Sequence, residues 1–173
     1  GPDATAGVRG LATLVVVMTL TFVCWGNICR SPMGAQVAQA WADRAGLQVR
    51  VDSAGISREE FGNPIDRRAA RVLAQHGYPV GSHRAKQVDR RLVDASDLVL
   101  AFEPLHLDRL RRLVPDAGHL NLVTDFDPAA AKGSGIADPW YGTVDDFIET
   151  LAAIEAAMPG IIEAVRGAST PRG

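Results

Sequence analysis

Cys24 and Arg30 are separated by five residues in the segment Cys24-Trp25-Gly26-Asn27-Ile28-Cys29-Arg30-Ser31. A thiolate and a guanidinium at that spacing suit attack on a phosphorus centre, with sulfur as nucleophile and the planar arginine fork donating to two phosphate oxygens. The spacing alone is a weak signal. Its setting strengthens it, because the β-branched, apolar segment ending at Val23 predicts a strand, and Ser31-Pro32 predicts a helix cap followed by proline at the first helical position. A loop that leaves the carboxyl end of a parallel strand and enters a helix lies where open α/β sheets bind ligands. Trp25, Gly26, Asn27, Ile28, Cys29 and Ser31 would then surround the phosphate together with Arg30. Gly26 and Asn27 tolerate the left-handed backbone that lets N–H groups converge on an anion, and the helix adds its positive end. The same field favours the thiolate of Cys24 over the thiol, and Ser31 can hydrogen-bond the sulfur or simply cap the helix.

Sulfur attack on a phosphate ester also needs a proton donor for the leaving oxygen. The Gly/Pro/Asp-rich loop Thr124 to Gly142 offers Asp127-Pro128 and Asp138-Pro139. Only the second is followed by Trp140-Tyr141-Gly142, aromatic surface able to hold a substrate ring. Asp138 is therefore the candidate general acid, and Asp127 is read as a turn residue.

The elements that must position these groups alternate between strand and helix patterns, as in an α/β domain around a parallel sheet. After the first strand, Met33, Val37, Trp41 and Ala45 recur at helical spacing until Gly46. Gln48 to Ser53 reads as a strand, Pro64 to Gln75 as a helix, Asp97 to Phe102 as a buried strand and Pro104 to Leu113 as a short helix. His119 to Val123 reads as the fourth strand, and Val144 to Val165 as a helix with a bend expected at Pro159. A structureless loop as long as Thr124 to Gly142 is unusual in a small domain and points to function.

The 173 residues, 47% of them hydrophobic, suffice for one core and not for two. A formal charge of -2 gives no basic face for nucleic acid, so any anion site must be local. Two cysteines form no secreted disulfide framework. Gly1 and Pro2 look like a scar of tag removal, and Met18 like a native start. The apolar run Leu11 to Val23 is too short to span a membrane and lacks a small-residue cleavage site, so no membrane association and a cytoplasmic location are expected. Heavy use of arginine over lysine hints at a GC-rich bacterial genome.

With Val23 to Pro32 at one end and Asp138-Pro139-Trp140-Tyr141-Gly142 near the other, the chain resembles the low-molecular-weight protein tyrosine phosphatases. The likeness runs from about Thr21 to Arg166 and takes in Asp52-Ser53-Ala54-Gly55 and Ser82-His83-Arg84-Ala85. It implies a single domain with a four-stranded parallel sheet, helices on both faces, and the phosphate-binding loop between the first strand and first helix. Residues 18–166 would form the phosphatase domain, residues 1–17 a tag scar and poorly ordered or non-family extension, and 167–173 a flexible tail. The implied chemistry uses no metal or cofactor: Cys24 forms a cysteinyl-phosphate, Arg30 binds phosphate, and Asp138 protonates the tyrosine oxygen and then activates water. Asn27, Ser31, Ser53 and His83 would support the loop by hydrogen bonds; from its own surroundings in the sequence, His83 reads as a surface or packing histidine. Cys29 matches a second thiol able to trap oxidised Cys24 as a disulfide. The implied partner is a tyrosine-phosphorylated protein, with a bacterial tyrosine kinase among the candidates, and the implied state a monomer or weak homodimer.

Departures from the family pattern concern the substrate pocket. Glu59 stands where an aromatic wall is usual, Phe61 follows two residues on, Trp25 replaces a small or aliphatic residue, and Met33-Gly34-Ala35 lacks the common glutamate. Trp25, Glu59, Phe61, Trp140 and Tyr141 are therefore the expected pocket residues, with Trp25 either substituting for the missing wall or packing against the domain. An arsenate reductase of similar fold would need further cysteines. An arginine phosphatase would be expected to carry threonine at Ile28, and a silent phosphotyrosine-binding module would have lost nucleophile or acid.

Overall fold

The computed structural model describes residues 17–169. The expected N-terminal extension up to residue 16, including the first half of the Leu11 to Val23 run, and the tail beyond residue 169 lie outside the described residues. Four strands form one parallel sheet: β1 (Met18–Cys24), β2 (Val49–Gly55), β3 (Leu98–Ala101) and β4 (Leu120–Leu122), in the order β2-β1-β3-β4. Between and after them come α1 (Arg30–Arg44), α2 (Arg67–Gln75), α3 (Arg90–Ala95), α4 (Pro104–Leu113) and α5 (Val144–Ser169). Among the described residues no helix is long and apolar enough to cross a membrane.

The central strands are apolar on both sides because each face of the sheet is covered. Leu20, Phe22, Leu100 and Phe102 point into a core built with Met33 and Val37 of α1, Val72 and Leu73 of α2, and Phe147, Leu151 and Ile154 of α5. Val23, Val99 and Ala101 point the other way, against Val93 of α3 and Leu107 and Leu110 of α4. Chain order places β2 on one side of β1 and β3 on the other. The loops leaving β1 and β3 therefore diverge to opposite faces, and a crevice opens at the carboxyl ends of these strands.

Several boundaries differ from the sequence reading. Helix α1 starts at Arg30 with Cys29 in the capping position and no side-chain cap, so Ser31 is not the cap and Pro32 lies within the first turn. Such a turn has N–H groups without intrahelical acceptors, which is why proline is tolerated there. Helix α2 starts after Asp66, whose carboxylate accepts from the Arg68 N–H at 2.8 Å. Helix α3 was not anticipated: Asp89 caps it by accepting from Leu92 N–H, but its six residues are too few for periodicity to announce. The Thr124 to Gly142 segment is organised by two 3₁₀ turns, Val123–Phe126 and Pro139–Tyr141, and by Ile136 N–H donating to Phe102 O. Helix α5 continues through Pro159 to Ser169, three residues into the expected tail.

Gly160, inside α5, lies close against the first 3₁₀ turn. A Cβ there would lie 2.3 Å from the Phe126 carbonyl oxygen. Alanine normally gains about 1 kcal/mol over glycine in a helix interior, but overpacking against an immobile backbone costs about 1–3 kcal/mol. Gly160→Ala is accordingly expected to destabilise the protein by about 1 kcal/mol net, read as a lower urea midpoint at unchanged m-value. A raised midpoint would mean that α5 moves freely away from Phe126.

Candidate active site

The loop between β1 and α1 turns on Asn27, the sole non-glycine residue with positive φ (61°) among the described residues. Gly26, also expected to take that conformation, does not. The backbone Lys86 N–H, which can only donate, meets Asn27 Oδ1 at 2.9 Å, so the amide nitrogen faces the other way. It donates to Ser31 Oγ at 2.8 Å and to Ser53 Oγ at 3.0 Å. His83 Nε2 donates to the Asn27 carbonyl at 2.5 Å, and burial holds its pKa below the ordinary value. Gly55 permits the loop to pass: a Cβ there would lie 2.8 Å from Trp25 O. Ser31 Oγ is 3.0 Å from Cys24 Sγ. Since Ser31 already accepts from Asn27, its own proton is available to the sulfur.

Arg30 is 1% exposed. Its Nη1 donates to Glu103 Oε2 at 2.6 Å and to the Ile136 carbonyl at 2.8 Å, while Nη2 lies 3.6 Å from Asp138 Oδ2. The buried Nε has no protein partner. Two residues that the sequence reading did not single out complete this cluster. Glu103 sits at the turn from β3 into α4, where it reads as an ordinary helix-flanking acid, and His106, as buried as Arg30, places Nε2 3.4 Å from Glu103 Oε2.

Cys24, Arg30 and Asp138 line one cleft of about 290 Å³, with Trp25, Gly26, Ile28 and Cys29 on its loop side and Glu59, Glu60, Trp140 and Tyr141 around the mouth. Asp138 Oδ1 accepts from Trp140 N–H at 3.1 Å, which folds the acid back over its own 3₁₀ turn. Trp140 and Tyr141 meet edge to face at 4.8 Å and are exposed. Phe61 does not line the cleft; it points to solvent beneath the Arg58 guanidinium, and Glu60 takes the inward place. Trp25 lines the cleft and also carries the Arg109 guanidinium 5.8 Å from its ring centre. Asp127 accepts from Ala129 N–H in a turn and is not among the cleft residues. Cys24 and Cys29 are both buried and unbonded, and burial, then the charge of Asp66, pushes the Cys29 thiol well up.

His106 links the cluster to pH. Burial, then the Arg30 cation, lowers its pKa to about 4 from the ordinary 6.5. Between those values the unfolded chain binds the proton and the folded one does not. The stability contribution is therefore full above 6.5 and is lost as pH falls toward about 4. The unfolding free energy of wild type minus that of His106→Asn, measured from about pH 7 down to about pH 4, is expected to fall steadily. A constant difference would place the imidazole in a water-like setting.

Comparison with known proteins agrees with this geometry. The model of the family described as low molecular weight phosphotyrosine protein phosphatase matches residues 19–169. A low molecular weight protein-tyrosine-phosphatase of Streptomyces coelicolor is 44% identical over 151 residues, covering 84% of this chain and 92% of that protein. Low molecular weight protein-tyrosine phosphatase A of Mycobacterium tuberculosis is 42% identical over 145 residues, covering 82% and 88%. The crystal structure of YfkJ from Bacillus subtilis superposes with a TM-score of 0.84 at 25% identity, covering 90% of this chain and 98% of that one. The chain belongs to the low molecular weight phosphotyrosine protein phosphatase family.

Proposed function

We propose that this protein hydrolyses phosphotyrosine in proteins in two steps at the cleft, with Cys24 as nucleophile, Arg30 as phosphate ligand and Asp138 as general acid and base. The observation that carries the reading is the convergence of these three groups, distant in sequence, on one cleft at the strand switch point. The Cys24 thiolate attacks phosphorus as the phenolic oxygen departs with the Asp138 proton, leaving a cysteinyl-phosphate. Asp138, now a carboxylate, takes a proton from water; the resulting oxygen attacks phosphorus and the thiolate leaves, stabilised by the Ser31 hydroxyl 3.0 Å away. The uncapped first turn of α1 and the free Nε of Arg30 supply donors for the phosphoryl oxygens.

Glu59 and Glu60 at the mouth disfavour acidic residues flanking the phosphotyrosine and favour basic ones, over a screening length of about 8 Å. Trp25 offers the flat surface that Glu59 lacks. With these parts the substrate is a tyrosine-phosphorylated protein whose flanks are not acidic.

Cys24→Ser is expected to abolish turnover of p-nitrophenyl phosphate while vanadate binding survives, because Arg30 and the backbone donors remain. Asp138→Ala should slow phosphotyrosine hydrolysis by about 10²–10⁴-fold, and less for esters with good leaving groups. Substantial activity in Cys24→Ser, or equal losses of Asp138→Ala on both ester types, would refute these roles. Separately, Trp25→Ala should raise KM for aryl phosphates more than it lowers kcat, as expected of a contact made equally in ground and transition states. An unchanged KM would make Trp25 a packing residue.

A further inference from the structure

The segment carrying Asp138 has little packing of its own. Pro139 is buried, but Trp140 is 45% and Tyr141 88% exposed. A general acid must nevertheless sit within about 2.6–3.2 Å of the leaving oxygen. Something outside the segment has to fix it.

The segment is a short unit: Asp138 Oδ1 accepts from Trp140 N–H at 3.1 Å, and Gly142 N–H donates to Pro139 O at 2.9 Å. Fixing Gly142 therefore fixes the turn that aims Asp138. On one side Gly142 is pressed against the start of α5, where an added Cβ would lie 2.0 Å from Asp146 Oδ2. On the other, Arg68 Nη1 donates to its carbonyl at 3.0 Å. The Arg68 guanidinium is itself held at Nε and Nη2 by Asp66, at 3.1 and 3.0 Å, and lies 4.5 Å from the centre of the Phe147 ring. The chain of contacts ends in the phosphate-binding loop, because Asp66 N–H donates to Ile28 O at 2.8 Å.

We propose that Arg68 is a positioning residue that straps the carboxyl end of the acid loop, through Gly142, to the Asp66 anchor beneath the phosphate-binding loop, so that Asp138 is registered against Cys24. The proposal rests on Asp138 being the general acid. A fork held by two hydrogen bonds to Asp66 and an aromatic face loses little further freedom when it engages the loop, which suits it to such a role better than a lysine. The anchoring contact to Ile28 is made by backbone, so altering the Arg68 side chain releases the acid loop and leaves the phosphate-binding loop in place.

The test is a leaving-group series of aryl phosphates on wild type, Arg68→Gln, Arg68→Lys, Asp138→Ala and the Arg68→Gln/Asp138→Ala double variant. A misplacement of about 1 Å costs on the order of 10²-fold, so Arg68→Gln is expected to lose roughly 10–10²-fold in kcat on esters of poorly acidic phenols. It should lose little on p-nitrophenyl phosphate and keep vanadate affinity, with Arg68→Lys intermediate. In the Asp138→Ala background Arg68→Gln should cost nothing further. A uniform loss across leaving groups, weakened vanadate binding, or full additivity in the double variant overturns the strap and leaves Arg68 a helix-stabilising residue. Should Arg68→Gln not fold, the slope of the Arg68→Lys series decides in the same way. Failure of Asp138→Ala alone to steepen the series would instead overturn the acid assignment, and the strap with it.

Discussion

A guanidinium buried to 1% exposure is the constraint around which the site is arranged. Withdrawing such a charge from water costs several kcal/mol unless acceptors are supplied. The fold supplies them from segments that local sequence does not connect: Arg30 follows β1, Glu103 follows β3, and the Ile136 carbonyl and Asp138 come from the long segment before α5. These segments meet because β1 and β3 are neighbours whose exits diverge. The compensation leaves Nε without a protein acceptor. In proteins where nearly all buried polar atoms are paired, a fixed cation with one unpaired donor, lining the same cleft as Cys24, is suited to hold an anion.

The loop geometry depends in turn on one strained residue. Asn27 takes a left-handed backbone that costs an ordinary side chain about 1–2 kcal/mol, and its amide offsets this by joining α1, β2 and the segment around Lys86. This explains why a polar side chain occurs there and not the more permissive glycine. The arrangement has a chemical consequence at the sulfur. By donating to Ser31, Asn27 settles the direction of the serine hydroxyl, so a residue that touches no substrate determines which way a proton points at Cys24.

What the sequence disclosed followed the range of each signal. Alternation and helical spacing are local, so the four strands, their parallel sense and the helices after Pro32 and Pro104 could be read directly, whereas the order of the strands in the sheet could not. The Cys24 to Ser31 loop and Asp138-Pro139 could be found because each is a short contiguous pattern. Glu103 and Arg68 could not, since their contacts to Arg30 and to the Gly142 carbonyl come from distant parts of the chain, and His106 could not, since its burial beside Arg30 is set by the tertiary packing. Each looks locally like an unremarkable helix-end or helix-surface residue. Ser31 read equally well as a cap, and only the start of α1 at Arg30 separates the two roles. The exchange of Phe61 for Glu60 at the cleft has the same origin: in an irregular loop no periodicity tells which of two neighbours points inward.

The two cysteines of the loop show how closely the local field is graded. Cys24 faces the Ser31 hydroxyl at the open end of α1, whereas Cys29 is buried beside the Asp66 carboxylate, and both burial and that charge keep its proton on. A protonated, enclosed thiol is a poor nucleophile, because exchange at sulfur proceeds through the thiolate. Capture of an oxidised Cys24 by Cys29 therefore requires either local opening of the loop or relief from the Asp66 charge. The Asp66 carboxylate is the same group that grips Arg68, so conditions that loosen the grip on the acid loop also alter the charge felt by Cys29. In the proposed scheme, trapping of an oxidised Cys24 by Cys29 and placement of Asp138 through Arg68 would both depend on the Asp66 carboxylate, and a substitution there would alter the two together.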